Sequence, residues 1–216
     1  MVARVITPPT RREANRQSRR ETILDAAQSS FLEQGYDGTT MSGIAVRLGG
    51  SKGTLWSYFP SKEALFTAVV DRATEEFRRQ LTVILNPDDE LEVALTRFCE
   101  QFLAKVTSDE AIALNRLVVG ETSRFPELGH IFYERGPRLT HLVLADYIAG
   151  VQSGGRLLGI EPLRAAQQLT WLCMSRHYQM LLTGFIPSIS PTEIAEDIEA
   201  AMVTFMRAYG PGRSPA

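Results

Sequence analysis

Residues 22–70 read TILDAAQSSFLEQGYDGTTMSGIAVRLGGSKGTLWSYFPSKEALFTAVV. Ile23, Ala27 and Phe31, with Leu24 and Leu32 beside them, recur at helical period. Upstream, Ser18 and Glu21 have the capping-box spacing that satisfies orphan amides at a helix start. Gly35 stops this helix, and Tyr36-Asp37-Gly38 makes a turn. A short second helix is predicted from Thr40 to Leu48, with Thr39 or Thr40 as its N-cap and Ile44, Ala45 and Leu48 inward. Gly49-Gly50 breaks it, Ser51 can cap a third helix from Lys52 to Phe59, and Pro60 ends that piece. Ser61 caps a longer helix in which Phe66, Val69, Val70, Ala73, Phe77, Leu81 and Ile84 repeat at three and four residues.

Two short helices joined by a Gly-containing turn, the second followed by proline, fit a helix-turn-helix. A helix ~10–12 Å across enters a major groove ~12 Å wide while the helix before it braces against the backbone. The entering helix then needs small, polar and aromatic side chains outward. Ser51, Lys52, Thr54, Trp56, Ser57 and Tyr58 fit that face, with Leu55 and Phe59 anchoring it from behind. Spacing alone also fits a buried α-hairpin with a polar rim.

The run Gly38-Thr39-Thr40, the stretch Ser51-Lys52-Gly53-Thr54-Leu55 and the exit Tyr58-Phe59-Pro60-Ser61-Lys62-Glu63 resemble the DNA-binding region of TetR-type bacterial transcriptional regulators. The resemblance implies an all-α dimer with an N-terminal DNA reader and a C-terminal ligand-sensing and dimerisation domain. It implies that Thr40 and Lys62 contact phosphate, and that Ser51, Lys52, Thr54, Ser57 and Tyr58 occupy the recognition face. Trp56 stands where the family usually has tyrosine. Three positions depart from the pattern: Gly43 replaces an acidic residue, Gly50 an apolar one and Ser57 a larger one.

Outward from this core, charge is uneven. Residues 1–85 carry a balance of +3 and residues 86–216 a balance of -5, with six arginines among the first twenty residues. A basic end on an acidic chain suits a polyanion at one end only. Residues 1–17, with Pro8-Pro9, are expected to be a flexible basic arm; 18–66 the helix-turn-helix domain; 67–208 a helical ligand-binding and dimerisation domain; 209–216 a flexible tail. Helices are predicted over 90–106, 109–123, 127–134, 137–152, 162–183 and 191–208. No run of alternating β-branched residues suggests a sheet.

The segment 117–137, LVVGETSRFPELGHIFYERGP, resembles the AefR-like ligand domain of some of these regulators. Phe98, Phe102, Leu114, Leu117, Phe125, Phe132 and Tyr133 are candidate ligand-lining residues, since small-molecule pockets are mostly apolar. For any one of them plain core is the commoner use, since aromatics at helical spacing are more often core than pocket. The expected function is a dimeric repressor on a pseudo-palindromic double-stranded DNA operator, released by a small hydrophobic or amphipathic effector. The alternative is a DNA binder of the same type without an inducer. An enzyme is disfavoured: His130, His141 and His177 lack paired metal spacing, and no phosphate loop, nucleophile elbow or Cys/His pair appears. No cofactor or metal is called for. No apolar stretch is long enough for a membrane span, and Cys99 and Cys173 read as free thiols in the cytoplasm.

Overall fold

The computed structural model describes residues 10–50 and 52–210; the segments 1–9 and 211–216, Ser51 and the side chain of Lys52 lie outside the described residues. Among the described residues the chain is helical without strands: α1 (Arg11–Gly38), α2 (Met41–Arg47), α3 (Lys52–Tyr58), α4 (Lys62–Ile84), α5 (Leu91–Val106), α6 (Asp109–Glu121), α7 (Pro126–Arg135), α8 (Pro137–Ser153), α9 (Pro162–Cys173), α10 (His177–Leu182) and α11 (Pro191–Tyr209). None of these helices is long and apolar enough to cross a membrane. Two compact units divide between Val69 and Val70, three residues beyond the expected boundary, and α4 runs unbroken through that point.

In the first unit, Phe31, Tyr36 and Phe66 form a buried aromatic triad, with Phe31 and Tyr36 stacked at 5.6 Å and Phe66 edge-on to both. Ile23, Leu24 and Ala27 from the α1 stripe, Ile44 and Ala45 from α2, and Leu55 and Phe59 from the α3 segment are buried in the same unit. One expectation fails here. Helix α1 starts at Arg11, not Ser18, so residues 11–17 are helical rather than part of a flexible arm. A complete capping box lies further upstream than the one read from the sequence. Thr10 N donates to Glu13 Oε2 at 2.7 Å, and Glu13 N donates to Thr10 Oγ1 at 3.3 Å. Ser18 sits inside the helix, its carbonyl accepting from the Thr22 hydroxyl.

The second unit packs α5, α8, α9 and α11 around Leu95, Phe98, Leu144, Ile148, Leu169 and Phe205. The expected helix 162–183 is two helices, broken at residues 174–176. The reason is a buried carboxylate on α11. Asp197 accepts from the His177 ring at 3.0 Å, and the His177 amide reaches it at 3.4 Å. An amide is free to meet a side chain only in the first turn of a helix, so the chain restarts there. The other helices end within two residues of expectation, and Ser190 and Glu193 close the capping box of α11 behind Pro191.

Candidate nucleic-acid interface

Gly35, at φ 76°, ends the regular part of α1 and turns the chain toward α2. Thr39 is buried, its hydroxyl 2.9 Å from Ser30 O and 2.7 Å from Gly35 O, which locks that turn. The next residue, Thr40, caps α2: its exposed Oγ1 accepts from Gly43 N at 3.0 Å. A Cβ at Gly43 would come within 3.1 Å of that oxygen, so glycine keeps room for the cap that an acidic residue would otherwise share. Arg47 donates twice to Glu33, at 2.7 and 2.9 Å, tying α2 to α1 and holding the Glu33 carboxyl below its usual range.

Gly49, at φ 61°, then turns the chain into α3. Gly50 has a different job: a Cβ there would lie 2.9 Å from Arg19 Nη2, so its absence lets the guanidinium approach the turn. In α3, Leu55 is buried, as is Phe59 just beyond it. Trp56 is 40% exposed, Ser57 is exposed, and Thr54 and Tyr58 are half-buried. The Ser57 hydroxyl donates to Thr54 O at 2.7 Å, which leaves its lone pairs for an outside donor. Thr54, Trp56, Ser57 and Tyr58 are thus brought together on one short helix above an apolar anchor, with Lys52 opening it.

Lys62 has a task that sequence reasoning missed. Its ammonium lies 2.8 Å from Tyr36 O, 3.1 Å from Thr39 O and 4.1 Å from the centre of the Tyr36 ring. It staples the first turn of α4 to the turn before α2. Sequence reasoning expected Arg11, Arg12 and Arg16 to aid DNA binding from a flexible arm; it missed that they sit on an ordered helix. Arg16 lies over the Tyr58 ring at 5.8 Å and Arg20 over the Phe59 ring at 5.5 Å, and Arg12, Asn15, Arg16, Ser57 and Tyr58 line a groove of about 430 Å³. The available signal was Thr10 three residues before Glu13.

The candidate ligand residues scatter more widely within the second unit. Phe98 and Phe102 stack at 5.8 Å and are buried in the main core. Leu114 is buried on α6; Leu117, Phe125 and Phe132 are half-buried; Tyr133 is 45% exposed. Arg116 donates to Leu181 O and Leu182 O, satisfying carbonyls at the end of α10. Cys99 and Cys173, distant in sequence, are free thiols buried in the same core; the Cys99 thiol donates to Met202 Sδ at 4.0 Å, and the neighbouring Cys173 thiol and then burial raise the Cys99 pKa. Such thiols are poor nucleophiles. Burial lowers the pKa of His141, whose Nε2 lies 3.0 Å from Thr170 Oγ1. Among the described residues no cluster of His, Cys, Asp and Glu could hold a metal ion.

The domain family described as bacterial regulatory proteins, tetR family, matches residues 23–69, and the AefR-like transcriptional repressor C-terminal domain matches residues 93–211. The HTH-type transcriptional regulator RutR of Escherichia coli is 33% identical over 160 residues, covering 67% of each chain. An HTH-type regulator of Mycobacterium tuberculosis is 38% identical over 80 residues, and the chain spans 40% of that relative's length. A TetR-family regulator structure from Mesorhizobium loti superposes with a TM-score of 0.79 at 26% identity, covering 94% of this chain and 100% of that one. The flavonoid-responsive regulator FrrA superposes at 0.78 with 32% identity, covering 91% and 100%. Matched in both halves, and in the order that the reader helices and the core of the second unit occupy along it, the chain belongs to the TetR family of bacterial regulatory proteins.

Proposed function

We propose that the protein is a dimeric repressor that binds a pseudo-palindromic double-stranded DNA operator and leaves it when a small hydrophobic or amphipathic effector occupies the second unit. The observation that carries this reading is α3: a short helix anchored by Leu55 and Phe59, with Trp56 and Ser57 turned out and α2 capped beside it by Thr40. In this reading Thr54 and Ser57 meet base edges. Thr40, Lys52 and Trp56 meet the backbone, and Lys62, at the first turn of α4, brings a positive charge to phosphate.

Dimerisation is supported by the open face of α9 and α11. Trp171 is 59% exposed, and with Leu172, Gln168, Thr204 and Tyr209 it borders a groove of about 620 Å³. A second copy of the same face, related by a twofold axis, would cover it. Recognition helices one turn of DNA apart, ~34–36 Å, then demand a two-fold operator.

For the switch, α4 is the lever. It has 23 residues and is about 35 Å long. Lys62 opens it, and further along Thr74 and Arg78 both donate to Arg135 O at the end of α7. An effector that shifts α7 or α8 would pull on that bond and tilt α4. Release follows only if the effector prefers the tilted state, and typical couplings of ~1–3 kcal/mol give a ~5–150-fold loss of DNA affinity. Because FrrA is flavonoid-responsive, planar phenolic aromatics are the first compounds to try. Retardation of the DNA upstream of the protein's own gene, repeated with such compounds, tests the reading. Calorimetry adds a reciprocal check: saturating operator must weaken effector binding by the factor by which effector weakens operator binding. Operator-independent effector affinity would leave a DNA binder without this switch.

A further inference from the structure

Helix α1 begins more than three turns before its first buried residue, Ile23. Thr10 and Glu13 hold that exposed start by reciprocal capping, and the Glu13 carboxylate, kept below its usual range by those bonds to Thr10, is directed at the cap. Because the segment is helical, Arg12, Arg16 and Arg20 fall four residues apart on one face, ~6 Å per step along the axis. That face looks onto α3. Arg16 and Arg20 rest over the rings of Tyr58 and Phe59, and two grooves of about 430 and 320 Å³ share Arg16 and Tyr58 as their common wall. Arg12 and Asn15 border the first, and Glu13, Gln17 and Arg20 the second. Arg20 has Glu21 at 3.8 Å, whereas Arg12 and Arg16 lie one turn apart as like charges, which repel each other along a helix until an anion joins them.

Resting on the DNA-binding reading above, we infer that this groove is a second DNA-backbone site. Arg12 and Arg16 each pair with a phosphate beside the stretch of major groove that α3 enters. Tyr58 is a positioning residue that holds the Arg16 guanidinium through its ring rather than a reader of bases. The ligand is the phosphodiester of duplex DNA, for which a planar guanidinium fork is well shaped. The site becomes part of the interface because the capping box makes residues 11–17 helical; in a disordered arm the same arginines would have no fixed relation to α3.

The test uses the full chain and a short random-sequence DNA duplex, with affinity read by fluorescence anisotropy from about 50 to about 200 mM salt. Each phosphate contact contributes ~0.9 to the slope of log affinity against log salt. The double variant Arg12→Ala/Arg16→Ala is expected to lower that slope by about 1.8. Tyr58→Leu is expected to lower it by up to about 0.9, while Tyr58→Phe, which keeps the ring, leaves it unchanged. Arg138→Ala on α8 removes a charge elsewhere and is expected to leave the slope alone. An unchanged slope in the double variant, with the wild type binding normally, overturns the groove and spares the DNA-binding reading. An equal fall with Arg138→Ala reduces the effect to net charge and also overturns it. Equal slopes for Tyr58→Leu and wild type overturn the positioning role of Tyr58. A wild-type chain that does not bind duplex even at the lowest salt overturns both readings together.

Discussion

Helices α3 and α9 each bury one face and leave a tryptophan on the other. Trp56 is 40% exposed on the same short helix as Thr54 and Ser57. Trp171 is 59% exposed, beside Leu172, while Val203 on neighbouring α11 is 42% exposed. The same side chain therefore sits in two different settings. On the helix that carries Trp56, the short polar groups and the guanidinium ions seated over Tyr58 and Phe59 suit a wet, charged groove, as DNA interfaces are. Around Trp171 there is an apolar stripe with few charges, and such a surface gains by being covered with more protein. The tryptophan alone identifies neither surface. Its neighbours do.

Four measurements would break or sharpen that contrast. The largest effect belongs to the anchor beneath the first surface. Leu55→Ala should destabilise the first unit by about 2–5 kcal/mol, read by thermal unfolding, because the side chain is buried and α3 is too short to reposition itself. Next, Trp171→Glu should turn the dimer into a monomer in sedimentation and lower operator affinity by roughly 10²-fold, since the second half-site contact is no longer tethered. If sedimentation stays unchanged, the apolar face is not the dimer interface and the contrast collapses.

The third effect is smaller and selective. Ser57→Ala should leave stability near wild type and alter preference at one base position by ~1–3 kcal/mol, measured on a panel of operator variants. A uniform loss over all sequences would make Ser57 a backbone contact instead. The smallest effect is a pH dependence confined to the second unit. All three histidines lie there, and burial lowers His141 below its ordinary 6.5. Between its folded and unfolded pKa values the unfolded chain binds more protons. The contribution of His141 is therefore complete above pH 6.5 and is lost as pH falls through the folded value. Thermal melts should show that the second unit loses stability in mild acid and that His141→Gln flattens the dependence. An equally acid-sensitive first unit would count against this assignment.

The two units also differ in how far they could be read in advance. Around α2 and α3 each residue type has a local reason: Thr40 caps, Gly49 takes a left-handed turn, Pro60 follows the helix, and Leu55 and Phe59 alternate with polar neighbours. Such rules act over three or four residues, so the sequence displays them. The start of α1 was misread because two capping boxes compete, Thr10 with Glu13 and Ser18 with Glu21, and the upstream one lengthens the helix. In the second unit the helices were legible and their faces were not. Leu169, Ile198, Met202 and Phe205 point into the core, whereas Trp171 points out, although all five are large and apolar.

Taken by itself, the sequence determined that the chain is all-helical, that a helix-turn-helix precedes a long helix, and that the family is the TetR one. Helical period, caps and breakers are local and leave a mark within a few residues. Tertiary structure decided the rest. The break in the predicted 162–183 helix depends on Asp197, twenty residues from His177. The approach of Cys99 to Cys173 and the tie from Lys62 to Tyr36 O depend on side chains brought together across helices. So does the seating of Arg16 over Tyr58. A helix built from 3.6-residue turns shows which residues share a face; which partner that face meets is set by packing over long distances in the chain.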